Sequence, residues 1–95
     1  TEVPPACEVV VIGSGAGGAT TALVLAEAGF EVVVLEEGPH CDTAAIATHT
    51  PNAVSRLYRG GGLTPLLGRP AIAFVEGCCV GGSTEVNSAF WHRPS

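Results

Sequence analysis

A chain of 95 residues admits one domain at most and a core of modest size. Hydrophobic residues make up 46% and charged residues 14%, the reverse of the balance that keeps a chain disordered. Nine acids stand against four bases, all Arg, for a net charge of −5. This excludes the electrostatic footprint of a nucleic-acid binder, and any phosphate must be held mainly by backbone N–H groups.

Residues 8–12, Glu-Val-Val-Val-Ile, form a β-branched run ended by Gly13. A continuous apolar run of this length suits a strand buried on both faces of a parallel sheet. Gly13-Ser14-Gly15-Ala16-Gly17-Gly18 follows, too rich in glycine for a regular element. From Ala16 to Ala28 the residues favour helix, with Ala19, Ala22, Leu23 and Ala26 predicting a slim sheet-facing stripe. Gly29 stands where a helix stop belongs. Residues 31–35, Glu-Val-Val-Val-Leu, predict a second strand. Strand, helix and strand within about 30 residues make a βαβ unit with a right-handed crossover.

Beyond Glu36-Glu37-Gly38-Pro39 the pattern weakens. Thr50 as N-cap, Pro51 as first helical residue and Gly60 as stop bracket a short helix, with Val54, Leu57 and Tyr58 as its buried stripe. Gly60-Gly61-Gly62 reads as a mobile loop. Ala71–Val75 predicts a third strand of a parallel sheet, and residues 38–70 otherwise read as a long loop with little structure.

The first loop spells Gly13-x-Gly15-x-x-Gly18. Alone the pattern is weak, but here a strand precedes it, a helix begins inside it and an acid closes the second strand. Gly13 permits the turn, Gly15 lets a pyrophosphate approach the backbone, and Gly18 allows helix to meet sheet. Ser14, Ala16 and Gly17 complete the cradle, at a helix N-terminus whose N–H groups and dipole favour anions. Glu36 lies 36 − 18 = 18 residues past the third glycine, near the roughly 20 expected of a carboxylate that accepts ribose hydroxyl hydrogens. A 2′-phosphate is repelled there, which disfavours NADP. Glu37 is a second candidate contact, or a solvated or supporting neighbour. This fingerprint does not separate NAD from FAD.

Gly77-Cys78-Cys79-Val80-Gly81-Gly82-Ser83-Thr84-Glu85-Val86-Asn87 and the following Trp91 and Pro94 form a second signature. It resembles the N-terminal signature of the glucose–methanol–choline (GMC) oxidoreductases, which are FAD enzymes. Gly77, Val80, Gly81, Gly82, Ser83, Thr84, Val86, Asn87, Trp91 and Pro94 occupy the pattern's places. Cys78 stands where a basic residue is usual. The opening through Pro39 also looks like the family's, so the resemblance covers roughly residues 8–38 and 70–95.

The resemblance implies that residues 1–95 are the N-terminal part of an FAD-binding α/β Rossmann-like domain, from a larger two-domain enzyme that oxidises a small-molecule alcohol. Gly81, Gly82, Ser83 and Asn87 join the first loop as implied FAD contacts. Asn87 offers both donor and acceptor to the polar edge of a flavin. Relatives that attach flavin covalently carry His just before the motif Asn; Val86 stands there, so non-covalent FAD is expected. The family's catalytic His lies near the end of a much longer chain, and no catalytic residue is assigned here. An NAD-dependent dehydrogenase and a truncated remnant are the alternatives. Weak or no stable FAD binding is expected of residues 1–95 alone.

Cys7, Cys41, Cys78 and Cys79 contain no CxxC and fit no zinc spacing; no metal is expected. They read as small apolar side chains of a reducing, cytoplasmic compartment. No run approaches a membrane span and no secretory signal is visible. A start without Met and an end at Arg93-Pro94-Ser95 suggest a piece of something longer. His40-Cys41-Asp42 is read as a solvated loop, His92, Phe90 and Trp91 as structural, and Arg56, Arg59 and Arg69 as dispersed, solvated charges.

Overall fold

The computed structural model describes residues 2–42 and 51–86. Its first half is built from two β-branched runs, whose side chains favour extended backbone. Strand β1 (Val9–Ile12) pairs in parallel with β2 (Val32–Leu35), in the register Val9 to Val32 through Ile12 to Leu35. The Val9 amide donates to the Glu31 carbonyl at 3.1 Å and the Gly13 amide to the Leu35 carbonyl at 2.7 Å, so pairing runs one residue past each end. Helix α1 (Ala16–Glu27) crosses between them, and β1, α1 and β2 form the expected βαβ unit.

Gly29 ends α1 as expected. Its φ is +92°; its amide donates to Ala26 at 3.0 Å, and that of Phe30 to Leu25 at 3.1 Å. These two reversed bonds satisfy carbonyls that the last turn leaves open. The stripe facing the sheet differs from the expected one. Gly18, Ala22 and Leu25 are half-buried, whereas Ala19, Leu23 and Ala26 are exposed. Gly18 sets this rotation: a Cβ there would overlap the Gly13 carbonyl oxygen, so the backbone itself makes the contact and carries the 18/22/25 row inward.

The strands are covered on one face only. Val9 and Val11 are half-buried beneath the helix, while Val10 and Ile12 are 51% and 85% exposed on the other. Burial on both faces, expected from the unbroken apolar run, is therefore not met within this chain. Such a run reports a strand's environment in the whole domain.

The second half departs further from expectation. Helix α2 (Pro51–Leu57) forms, although its expected cap, Thr50, lies outside the described residues. Leu57 is buried and Tyr58 half-buried, but Val54 is exposed. The glycine triplet is no open loop: Arg59–Gly62 is a 3-10 turn in which Gly60 and Gly61 take left-handed φ of +57° and +66°, open to residues without a Cβ. Strands β3 (Thr64–Leu66) and β4 (Ile72–Phe74) pair antiparallel as a separate hairpin. The third strand thus does not extend the parallel sheet, and residues 51–70 are not structureless. A short connection suits an antiparallel hairpin, whereas a parallel partner needs a long crossover.

Within the second half, Tyr58 and Gly77 form an isolated antiparallel bridge, flanked by Arg59 donating to Glu76 at 3.0 Å and Cys78 donating to Leu57 at 2.7 Å. The two halves meet along a seam beside it. The Val80 amide reaches the Pro39 carbonyl at 3.1 Å. Gly38 lies so close to the Cys78–Cys79 peptide that a Cβ would overlap it. Among the described residues, Leu57 and Cys79 are the buried apolar ones, Leu57 beside the Tyr58–Gly77 bridge and Cys79 against Gly38 at the seam.

Candidate functional site: two glycine loops on one carboxylate

The first loop leaves β1 at Gly13, whose φ of +87° favours glycine. Gly15 is the N-cap residue of α1, with no side-chain cap hydrogen bond and no acid in the first turn. Ala16, Gly17 and Gly18 form that turn. Cβ atoms added at Gly13, Gly15 or Gly17 would meet nothing within 4 Å. The helix N-terminus therefore presents open space and an uncapped dipole end, an arrangement that attracts anions.

Glu36, immediately after β2, turns back over this loop. Its Oε2 accepts from the Ser14 amide at 2.8 Å and the Ser14 hydroxyl at 2.7 Å, and its Oε1 from the Gly38 amide at 3.0 Å. The Ser14 hydroxyl, then the Gly38 and Ser14 amides, hold its pKa down from 4.5 to about 2. Hydrogen bonds to the ionised form favour it, so Glu36 is a fixed anion at neutral pH.

The second loop arrives at the same point. The Gly81 amide donates to the Ser14 hydroxyl oxygen at 2.9 Å, across 67 residues of sequence. Gly82 packs on Gly15, where a Cβ would come within 3.0 Å of the Gly15 Cα. Gly81 and Gly82 take φ of +95° and +58°. A short 3-10 turn, Gly82–Thr84, follows. The Ser83 hydroxyl accepts from the Gly77 amide at 2.9 Å, which closes the second loop on itself. Asn87 lies outside the described residues.

Gly13, Ser14, Gly15, Ala16, Gly17 and Gly18 thus lie on one loop and Gly81, Gly82 and Ser83 on a second that touches it, with Glu36 bonded to Ser14 between them. Glu37 takes another part. Its carboxylate pairs with the Arg59 guanidinium, which also pairs with Glu76; Arg59 Nη1 stands 3.2 Å from Glu37 Oε2. The hydrogen bond and charge of Arg59 lower the Glu37 pKa, and the two carboxylates raise that of Arg59. Arg59, read from sequence as a solvated charge, is thus a clamp between Glu37 just past β2 and Glu76 in the segment after β4 that leads into the second loop. The scarcity of bases was a faint signal: with nine acids and four Arg, each cation has carboxylates to choose from.

Cys79 lies beneath the second loop, its thiol 3.7 Å from the Gly82 carbonyl. Burial raises its pKa, so it is a packed thiol rather than a reactive one. The four cysteines are free. An open apolar groove of about 390 Å³ lies on the hairpin, lined by Leu63, Thr64, Pro65, Ala71, Ile72 and Ala73. It shares no residue with the glycine loops and offers no charged group for polar chemistry.

Comparison with known proteins agrees with this architecture. Residues 11–61 match the NAD(P)-binding Rossmann-like domain family. Over 93 residues the chain is 48% identical to an uncharacterized GMC-type oxidoreductase of Sinorhizobium fredii, covering 98% of this chain and 18% of that protein. An uncharacterized GMC-type oxidoreductase of Mycobacterium tuberculosis is 51% identical over 89 residues, 93% of this chain and 14% of the relative. A long-chain-alcohol oxidase of Arabidopsis thaliana is 38% identical over 81 residues, 85% of this chain and 11% of the relative. The chain therefore spans less than a fifth of these relatives.

Proposed function

The chain belongs to the NAD(P)-binding Rossmann-like domain family, among sequences of GMC-type oxidoreductases, and from that premise we propose that it is the FAD-binding portion of an alcohol oxidoreductase. One observation carries the reading. The dinucleotide loop and the second glycine loop meet through Ser14 on the Glu36 carboxylate, so a single extended ligand can touch both.

The residues fit such a group. The uncapped start of α1 would receive the pyrophosphate on its backbone amides, which suits a chain without Lys. Glu36, held ionised, would accept from the adenosine ribose. Gly81 and Gly82 bring backbone, unobstructed by a Cβ, to the side where the ligand's second half would run, with Ser83 and Asn87 as further contacts. Val86 at the position before Asn87 supports non-covalent attachment. Bound flavin would supply a hydride acceptor for a substrate alcohol. This chain's own residues would bind and orient the cofactor, with acid–base catalysis lying elsewhere in the protein.

Residues 1–95 are, on this reading, one portion of the FAD-binding domain. The bare outer face at Val10 and Ile12 and the small buried set support the need for the remaining protein. Weak or no stable FAD retention by residues 1–95 alone is the expected result. Among the described residues no helix is long and apolar enough to cross a membrane. The free thiols support a reducing, cytoplasmic setting.

The test is a pair of titrations on the whole protein. FAD should bind with quenching of flavin fluorescence and remain after desalting, and Glu36→Gln should weaken it. Tight binding of NAD with none of FAD would favour a nicotinamide-dependent dehydrogenase instead.

A further inference from the structure

Ser14 lies between two groups that need it in opposite senses. Its single hydroxyl proton goes to Glu36 Oε2 at 2.7 Å, while its oxygen accepts the Gly81 amide at 2.9 Å. Its own amide also donates to Glu36 Oε2, at 2.8 Å. A hydroxyl has one proton and two acceptor lone pairs, so this arrangement satisfies donor and acceptor together. A hydrogen bond donated to a carboxylate is shorter and stronger than a neutral one. It also polarises the hydroxyl oxygen toward its second partner.

We propose that Ser14 is a positioning residue that couples the Glu36 carboxylate to the second glycine loop through this one hydroxyl. Glu36 and Gly81 have no hydrogen bond to each other; their orientations are linked because both bind the same oxygen. Gly81 has φ of +95° and begins the Gly82–Thr84 turn, so fixing its amide fixes where that turn starts. The close approach of Gly82 to Gly15 depends on the same placement. Small residues at position 14 without a hydroxyl would fill similar space but leave the two loops independent.

The ligand arm of this inference rests on the FAD reading above, so the test has a second arm without ligand. In the whole protein, hydrogen exchange at the Gly81 amide is measured for wild type, Ser14→Ala, Ser14→Thr and Glu36→Gln. Exchange at Gly81 should accelerate in Ser14→Ala, and also in Glu36→Gln, which alters a residue with no hydrogen bond to Gly81. It should stay near wild type in Ser14→Thr, which keeps the hydroxyl. In the ligand arm, Ser14→Ala should weaken FAD roughly 10- to 100-fold, the scale of one hydrogen bond to a charged group. Ser14→Thr should restore binding, and adding Ser14→Ala to Glu36→Gln should change little more.

Unchanged Gly81 exchange in Glu36→Gln, or full additivity of the two losses, would overturn the coupling. Failure of the wild-type protein to bind FAD would overturn the cofactor reading while the exchange result still decides the coupling. Should Ser14→Ala fail to fold, Ser14→Thr and Glu36→Gln carry the exchange comparison.

Discussion

The βαβ unit from Val9 to Leu35 and the segment from Pro51 to Val86 are assembled by different means. In the first, contacts join neighbours along the chain: a strand, its helix and the next strand, with the helix end closed by Gly29. In the second, the deciding contacts reach back to the first half, from Val80 to Pro39, from Arg59 to Glu37 and from Gly81 to Ser14. The candidate site lies where the two meet. The lesson is that the first loop is shaped by its own local grammar, whereas the second is shaped by the surface it is laid upon.

Substitutions that load one region at a time separate these origins. Gly18→Val should do most damage, because its Cβ would run into the Gly13 carbonyl, which is backbone and cannot step aside. A loss of about 3 kcal/mol or more in the unfolding free energy of the whole protein is expected, beyond ordinary overpacking. Gly17→Ala, one residue earlier in the same helix, meets open space and should be neutral or stabilising by up to about 1 kcal/mol. Equal effects at the two positions, in denaturant titrations, would contradict the close helix–strand contact.

Leu57→Ala loads the other region. Leu57 is 5% exposed beside the Tyr58–Gly77 bridge, and truncating a buried leucine costs about 2–4 kcal/mol. The expected result is a loss of stability with the βαβ unit's amides still protected from hydrogen exchange, since few of their contacts pass through α2. Simultaneous loss of protection in both halves would show that they unfold as one unit.

Glu36 is linked to the second half through the Ser14 hydroxyl, and its pH dependence follows from its lowered pKa. The unfolded carboxyl titrates near 4.5 and the folded one near 2. The folded state therefore holds its proton less tightly, and the stabilisation is present above pH 4.5 and lost as pH falls toward 2. Wild type should melt at a higher temperature than Glu36→Gln at pH 7, with the gap closing on acidification through that window. A gap that persists unchanged at pH 2 would mean that Glu36 acts by packing rather than by charge.

The sequence is legible where structure is local. The runs 8–12 and 31–35, the Gly13–Gly18 loop and the stop at Gly29 are short patterns whose period and punctuation carry the fold. The hairpin is not legible in the sequence because Ile72–Phe74 resembles any apolar strand, and nothing in three residues names an antiparallel partner such as Thr64–Leu66. The buried stripe of the helix is not legible either, because Gly18, with no side chain, counts for nothing in a hydrophobic pattern yet makes the closest contact. Within the site, the residue types at 13–18, 36 and 81–83 could be listed from spacing and resemblance. The Ser14 bridge could not, because it joins positions 67 apart.

Arg59 gives the mildest and most selective probe of the seam. Its guanidinium pairs with Glu37 on one side and Glu76 on the other, and its side chain is 41% exposed. Exposed pairs contribute little individually, and long side chains lose entropy when held. Arg59→Met keeps much of the apolar stem but leaves two carboxylates facing each other without a cation. A fall of a few degrees in melting temperature is expected at low salt, shrinking as ionic strength approaches roughly 1 M, where screening acts over about 3 Å. Adding Glu37→Gln should recover part of the loss, because it removes one of the stranded charges. If Arg59→Met melts lower by the same amount at every salt concentration, the guanidinium holds the second loop through its stem and backbone bridge to Glu76 rather than through charge.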